Sequence, residues 1–221
     1  MIGPPEMNDP DGALCRSAGV FAVLAIDQSS DSSGWALHVQ ARAFDPTHPY
    51  ERTGFTRIGL AADAAARRGV VESAKREAAR WNVPLGAVLE DHRSFAFARG
   101  NMSVSSAMGM GAARGRWEQE LEAAGIRDVH LVEPRVWRKA VLGLGGSVKG
   151  DSAKAAARLH ARAVLGTEVS DDEAEALCMA LWAERALTVR TLRGGVVRLE
   201  RLGDAPEKVK RGKRGKVRHE Q

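Results

Sequence analysis

A chain of 221 residues with 44% hydrophobic and 5% aromatic side chains can bury one sizeable, mainly aliphatic core, which excludes wholesale disorder and suggests one domain with a tail. Two cysteines far apart in sequence, Cys15 and Cys178, exclude a disulfide framework and a thiolate metal site, and a formal net charge of +5 matters only if it is concentrated. No apolar run reaches the roughly 18–20 residues of a membrane span, and the opening MIGPPEMNDPDG lacks the basic and apolar regions of a secretory signal, so an unexported cytoplasmic protein without a membrane partner is expected.

Residues 1–17, with Pro4, Pro5 and Pro10, are expected to form a flexible N-terminal arm. Val20 to Ile26 is wholly apolar and ends in Asp27. A half-solvated strand would alternate polar with apolar, so this run predicts a strand buried on both faces, with an acid at its end. Ser, Asp and Gly residues over 28–34 then lead to a second apolar segment, Trp35 to Val39. The unit predicted is a hairpin that carries Asp27 to the rim of a sheet, although an acid there can also simply cap its own turn. Residues 43–54 read as a loop and Phe55 to Leu60 as the third strand of a meander. Ala61 to Trp81 has helical spacing, with Val70, Val71, Ala74, Ala78 and Trp81 on one face, and Asn82 and Pro84 end it.

Gly86 to Leu89 is another short apolar strand that terminates in acid, Glu90. The segment 94–115 is rich in Gly, Ala, Ser and Met, for which close packing is the simplest explanation, and it runs into a helix over about 116–124. Val129 to Val132 reads as a third buried strand, followed by Pro134 at the first position of a helix reaching Leu142. The turn Gly143 to Gly150 (GLGGSVKG) matches neither the P-loop nor the dinucleotide fingerprint, and a helix over about 151–165 follows it. In the helix predicted for Asp171 to Leu187, Asp172 and Glu175 share a face that continues as Ala176, Met179 and Ala183. A solvated acidic stripe would not continue as apolar residues. Dipole complementarity suffices for Asp171 and Glu173. A strand over Gly195 to Leu202 closes the domain, taken as 18–203. The tail 204–221 is expected to be disordered and basic: between Lys208 and Arg218 it has seven basic residues and no acid.

Asp27, Glu90, Asp172 and Glu175, if gathered in one low-dielectric site, repel one another and stay ionised only with cations between them. Hard oxygen donors favour Mg²⁺, with Mn²⁺ able to substitute, and no His/Cys set competes. Two such ions can activate a water and stabilise the leaving oxygen of a phosphodiester. The basic tail, with Lys208, Lys210, Arg211, Lys213 and Arg214, suits a polyanion, so charge and spacing point to a metal-dependent nuclease without choosing DNA over RNA.

Over about residues 20–187 the sequence resembles the RuvC family of Holliday junction resolvases, within the RNase H-like superfamily. AIDQSSDSSGWAL looks like the family's first strand with its Asp, VLEDH like the strand with its Glu, and SDDEAEALCMA like its late helix with paired acids. The resemblance implies an α/β, RNase H-like fold: a five-stranded mixed sheet, its first three strands antiparallel, flanked by helices. It implies Asp27, Glu90, Asp172 and Glu175 as catalytic metal ligands, and a homodimer that makes paired cuts in a four-way junction. In PRVWRKAVLGLGGSVKGDSAK it places Arg138 and Lys149 where the family contacts DNA. Arg93 stands where bacterial members insert an aromatic residue into the junction, Glu175 stands where Asp is common, and the 43–54 loop and basic tail suggest a phage-type or divergent member. A helicase partner is not specified by the sequence. Other readings are an RNase H-like nuclease on another branched-DNA or RNA substrate, and a non-catalytic nucleic-acid-binding protein of the same fold.

Overall fold

The run that ends in Asp27 is the middle of the protein. In the computed structural model, which describes residues 16–17, 21–29, 31–42, 52–91, 103–145, 148, 150–191 and 197–201, all seven residues of the strand Phe21–Asp27 are buried. In chain order the described strands are β1 (Arg16–Ser17), β2 (Phe21–Asp27), β3 (Ser33–Arg42), β4 (Arg52–Ala61), β5 (Leu85–Glu90), β6 (Val129–Val132), β7 (Leu187–Thr191) and β8 (Val197–Arg201). The described helices are α1 (Ala64–Arg80), α2 (Val104–Ala123), α3 (Pro134–Leu142), α4 (Gly150–Leu165) and α5 (Asp171–Ala186).

The main sheet has the order β4-β3-β2-β5-β6. β2 runs antiparallel to β3, with Leu24 opposite Leu37, and parallel to β5, with Leu24 opposite Ala87. β4 adds to β3 antiparallel and β6 to β5 parallel. This is the five-stranded mixed sheet that the resemblance implied, with its first three strands antiparallel.

Side chains alternate across a strand, and here the alternation sorts the core into two layers. Phe21, Val23 and Ala25 pack with Trp137 of α3, Ala157 and Ala161 of α4 and the apolar residues of α5. Ala22, Leu24 and Ile26 face the other way, onto Val71, Ala74 and Ala78 of α1 and Trp117 and Leu121 of α2. At roughly 1.5–3 kcal/mol for each large aliphatic side chain removed from water, these two layers supply most of the driving force for the fold. By the same alternation Asp27 continues the Phe21–Val23–Ala25 row, and Glu90 continues from Val88 onto the same face, the one covered by α5.

Caps fix the helix boundaries. Asp63 accepts from Ala66 N at 2.8 Å to start α1, Ser103 caps α2, Pro134 opens α3, and Gly143 closes α3 in the left-handed region at φ 67°. α5 begins with a capping box in which Glu173 Oε2 accepts from Ser170 N at 2.9 Å, which gives Glu173 a local task at the helix start.

Several sequence expectations shift. α2 starts at Val104 and not near 116, because the Ser103 cap and the helical continuity outweigh the poor propensity of Gly109, Gly111 and Gly115. Close packing does not explain those glycines, since a Cβ built on any of them meets nothing within 4 Å. β6 is an edge strand with only Val132 buried, so it is not a buried strand like β2. β4 begins at Arg52, inside the expected 43–54 loop, and Trp81 is 38% exposed outside α1, where its ring meets Phe55 at 6.0 Å. The chain turns extended at Leu187, where β-branched Thr188, Val189 and Thr191 favour a strand. β7 then pairs with β8 and with β1 in a second, three-stranded sheet, so the expected N-terminal arm ends in a strand at Arg16–Ser17.

Candidate active site

At the C-terminal ends of β2 and β5, where α5 starts, lies an open cavity of about 580 Å³ lined by Asp27, Glu90, Asp172 and Glu175 together with Arg138 and Lys154. The strand alternation delivers Asp27 and Glu90, and the i, i+3 spacing on α5 delivers Asp172 and Glu175. A glycine lets the two elements meet. Gly34 is paired with Asp27 across the hairpin, and a Cβ on it would sit 2.1 Å from the backbone oxygen of Asp172, so only a glycine lets the start of α5 lie against β3.

Asp27, Glu90 and Glu175 are 6%, 3% and 4% exposed, while Asp172 is half-buried. Burial is the main force raising the pKa of all four carboxyls above the ordinary carboxylate range. For Asp27 the effect is large, and the charges of Glu90, Glu175 and Asp172 add to it. Trp137 and Arg138 work in the opposite direction. Trp137 Nε1 donates to Glu90 Oε1 at 2.9 Å, and Arg138 Nη2 donates to Glu175 Oε1 at 2.8 Å. Arg138 also stands 5.0 Å over the Trp137 ring, so α3 presents one stacked unit that reaches both glutamates. Lys154, on α4, pulls the pKa of all four carboxyls back down through space.

The two neighbouring acids at the start of α5 are placed differently. Asp172 lines the cavity, whereas Asp171 pairs with Arg158 and lies 3.7 Å from Lys154 Nζ. Arg138, expected to touch DNA, is engaged inside the acid cluster. Arg93, Lys149, Lys208, Lys210, Arg211, Lys213 and Arg214 lie outside the described residues, as does Cys15. Cys178 is buried with its thiol pushed up to about 12, mainly by burial, and so is inert.

Sequence reasoning missed Lys154, Trp137 and Gln28. Lys154 sits one residue from the buried Ala153–Ala157–Ala161 stripe of α4, a position at the edge of the packed face. That spacing was the available signal. Trp137 gave none, because its partner is 47 residues away. Ser105, Ser106 and Gly109 of α2 also line the cavity.

Among the described residues, no group of three or more His, Cys, Asp and Glu already stands close enough together to hold a metal ion. The donor set nevertheless fits one: oxygen donors only, mostly buried, with four acids facing two bases. Among the described residues no helix is long and apolar enough to cross a membrane.

No protein-family model matches the chain, and no curated protein matches it. Among solved structures the chain is similar to RuvC of T. thermophilus in complex with a Holliday junction substrate, with 20% sequence identity, coverage of 73% of this chain and 91% of that one, and a TM-score of 0.47. It is also similar to a Thermus thermophilus RuvC structure, with 20% identity, coverage of 73% and 92%, and a TM-score of 0.46.

Proposed function

We propose that this chain is a Mg²⁺-dependent endonuclease of branched DNA, most simply a junction resolvase acting as a homodimer. The observation that carries the reading is the convergence of Asp27, Glu90, Asp172 and Glu175 on one cavity where burial holds their pKa values up. A site of this kind destabilises the fold as long as no cation neutralises it, so it has a use beyond stability. Asp27, Glu90, Asp172 and Glu175 would hold Mg²⁺ or Mn²⁺, which when bound activates a water and stabilises the leaving oxygen of a phosphodiester.

The chain's own cations have the complementary role. Lys154, with a side chain 40% exposed, offers its ammonium to a phosphate at the cavity mouth, and Arg138 keeps Glu175 oriented. Lys149 and the basic tail add sequence-independent phosphate contacts, each neutralised phosphate contributing about −0.9 to the slope of log K against log salt on duplex DNA. The four-way junction as substrate comes from the sequence resemblance. A two-fold substrate is most simply cut by a two-fold enzyme, for which α1 and the 100–124 segment are the candidate interface.

The test is cleavage of a labelled four-way junction beside duplex, RNA–DNA hybrid and single strand, with Mg²⁺ and with EDTA. Paired cuts in the junction that vanish in EDTA are expected. Equal cleavage of hybrid and junction would move the assignment to another RNase H-like nuclease, and junction binding without cleavage in Mg²⁺ or Mn²⁺ would make the chain a binding protein. Light scattering with and without junction checks the dimer.

A further inference from the structure

The residue after Asp27 is also buried. Gln28 is 4% exposed and lines the same cavity as the four acids. Its Nε2 donates to the backbone oxygen of Glu90 at 3.0 Å. A backbone carbonyl only accepts, so this bond fixes which way the amide points: nitrogen toward Glu90, oxygen away from it. Oε1 is buried and no donor among the described residues reaches it.

The nitrogen has a structural explanation. The pairing of β2 with β5 ends at Ile26 opposite Leu89, and Gln28 adds one more tie between the two strand ends that carry Asp27 and Glu90. The oxygen has none. A buried acceptor without a donor is costly, and a methionine would fill the same length without that cost. Hard divalent cations take amide carbonyl oxygens alongside carboxylates.

We propose that Gln28 Oε1 is a neutral oxygen donor to the coordination shell of the cation held by Asp27 and Glu90, preset by the bond from Nε2 to the Glu90 carbonyl. The inference rests on the metal-dependent reading above. It makes Gln28 part of the site through its oxygen, with its nitrogen as the tether that aims it.

The test is isothermal titration of the full-length protein with Mn²⁺ and with Mg²⁺, without nucleic acid, for wild type, Gln28→Met and Gln28→Glu. Gln28→Met loses both donor and acceptor at nearly constant length, and should weaken binding by about 10–100-fold. Gln28→Glu keeps oxygen but adds a fourth buried or nearly buried acid beside Asp27, Glu90 and Glu175, so it should melt lower in EDTA yet bind Mn²⁺ more tightly than Gln28→Met. A purely structural Gln28 predicts the reverse order, with Gln28→Glu the weaker binder. Unchanged affinity in Gln28→Met would overturn the proposal. If either variant fails to fold, a Mg²⁺ titration of wild type followed by the Gln28 side-chain amide resonances decides: they must shift with the same midpoint as the heat signal, and a static signal sinks the idea. Absence of any divalent binding by wild type would overturn the metal-dependent reading itself, an outcome distinct from wild-type binding that Gln28→Met leaves intact.

Discussion

α5 meets buried polar groups at both of its ends, and the two ends are built differently. Toward its C-terminus Glu184 accepts from Gln40 Nε2 at 3.1 Å and faces His38 Nε2 at 3.7 Å, while His38 Nδ1 is 2.9 Å from Thr56 Oγ1. One acid there meets one donor and a histidine ring from β3. At the N-terminal end four acids share a cavity with two bases. The same helix against the same sheet thus gives an acid its donor at one end and crowds four acids at the other. The difference teaches that the fold could have neutralised the cavity and did not.

Asp27→Asn tests that contrast most severely. It should reduce junction cleavage to the uncatalysed background while leaving junction binding intact or tighter, since it removes a ligand and one charge that repels phosphate. In EDTA it should also raise the free energy of unfolding by about 1–3 kcal/mol, because a desolvated charge disappears. Glu184→Ala, at the other end, should lower it by about 1–2 kcal/mol by leaving the Gln40 amide without its acceptor. Urea denaturation of both variants in EDTA checks the opposite signs, and two losses would erase the distinction.

Arg138→Gln should be the most destabilising change within the cavity. The Arg138–Glu175 pair has side chains 21% and 6% exposed, and removing one partner of such a pair leaves a buried carboxylate alone, at a cost of about 3 kcal/mol. Added Mg²⁺ should recover much of that loss, as measured by denaturation with and without the ion. Equal losses in both conditions would show that the arginine and the ion do not serve the same carboxylate.

Gly34→Ala ranks next. Its Cβ would overlap the Asp172 backbone, so the start of α5 must move, with about 1–3 kcal/mol lost and a weaker response to Mg²⁺. Gly109→Ala is the control at the cavity's edge: its Cβ meets nothing and the site is helical, so a gain of about 0.5–1 kcal/mol is expected. Thermal melts in EDTA and in Mg²⁺ separate the two.

How much of this the sequence displayed follows from the range of the interactions. The Val20–Ile26 run announced β2 because burial on both faces leaves a local signature, and Asp172 with Glu175 announced their face because helical spacing is local too. The sheet order came through the resemblance, not through the residues alone. Gly34 against Asp172, Trp137 against Glu90 and Arg138 against Glu175 join positions remote in sequence, and nothing at either position states the partner. The start of α2 was obscured because glycine weakens the helical pattern while the cap that rescues it is one serine, Ser103. Leu187, the first residue of β7, reads as the end of the helix because it continues the apolar pattern into the strand.

The smallest effect expected is a difference in the sign of two pH slopes. His38 is buried, and burial lowers its pKa from the ordinary 6.5, with the Glu184 carboxylate pulling it back up. Besides Glu184 on α5, the groups engaged with it or beside it are the neutral Thr56 of β4 and Gln40 of β3. With the folded value below the unfolded one, the unfolded chain takes up the proton first as the pH falls through 6.5. Stability is therefore lost on acidification between 6.5 and the lowered folded value, and it rises with pH across that window. The cavity acids run the other way. Asp27 is raised well above 3.8, so the folded chain holds its proton longer, and in EDTA stability falls as the pH rises from 3.8 through the raised value. Melting in EDTA over about pH 4 to 8 should show both slopes. His38→Gln should flatten the one just below 6.5 and leave the other, and Asp27→Asn should do the converse. If one substitution flattened both, the two ends of α5 would titrate as a single network, and the contrast between one acid with its donor and four crowded acids would not hold.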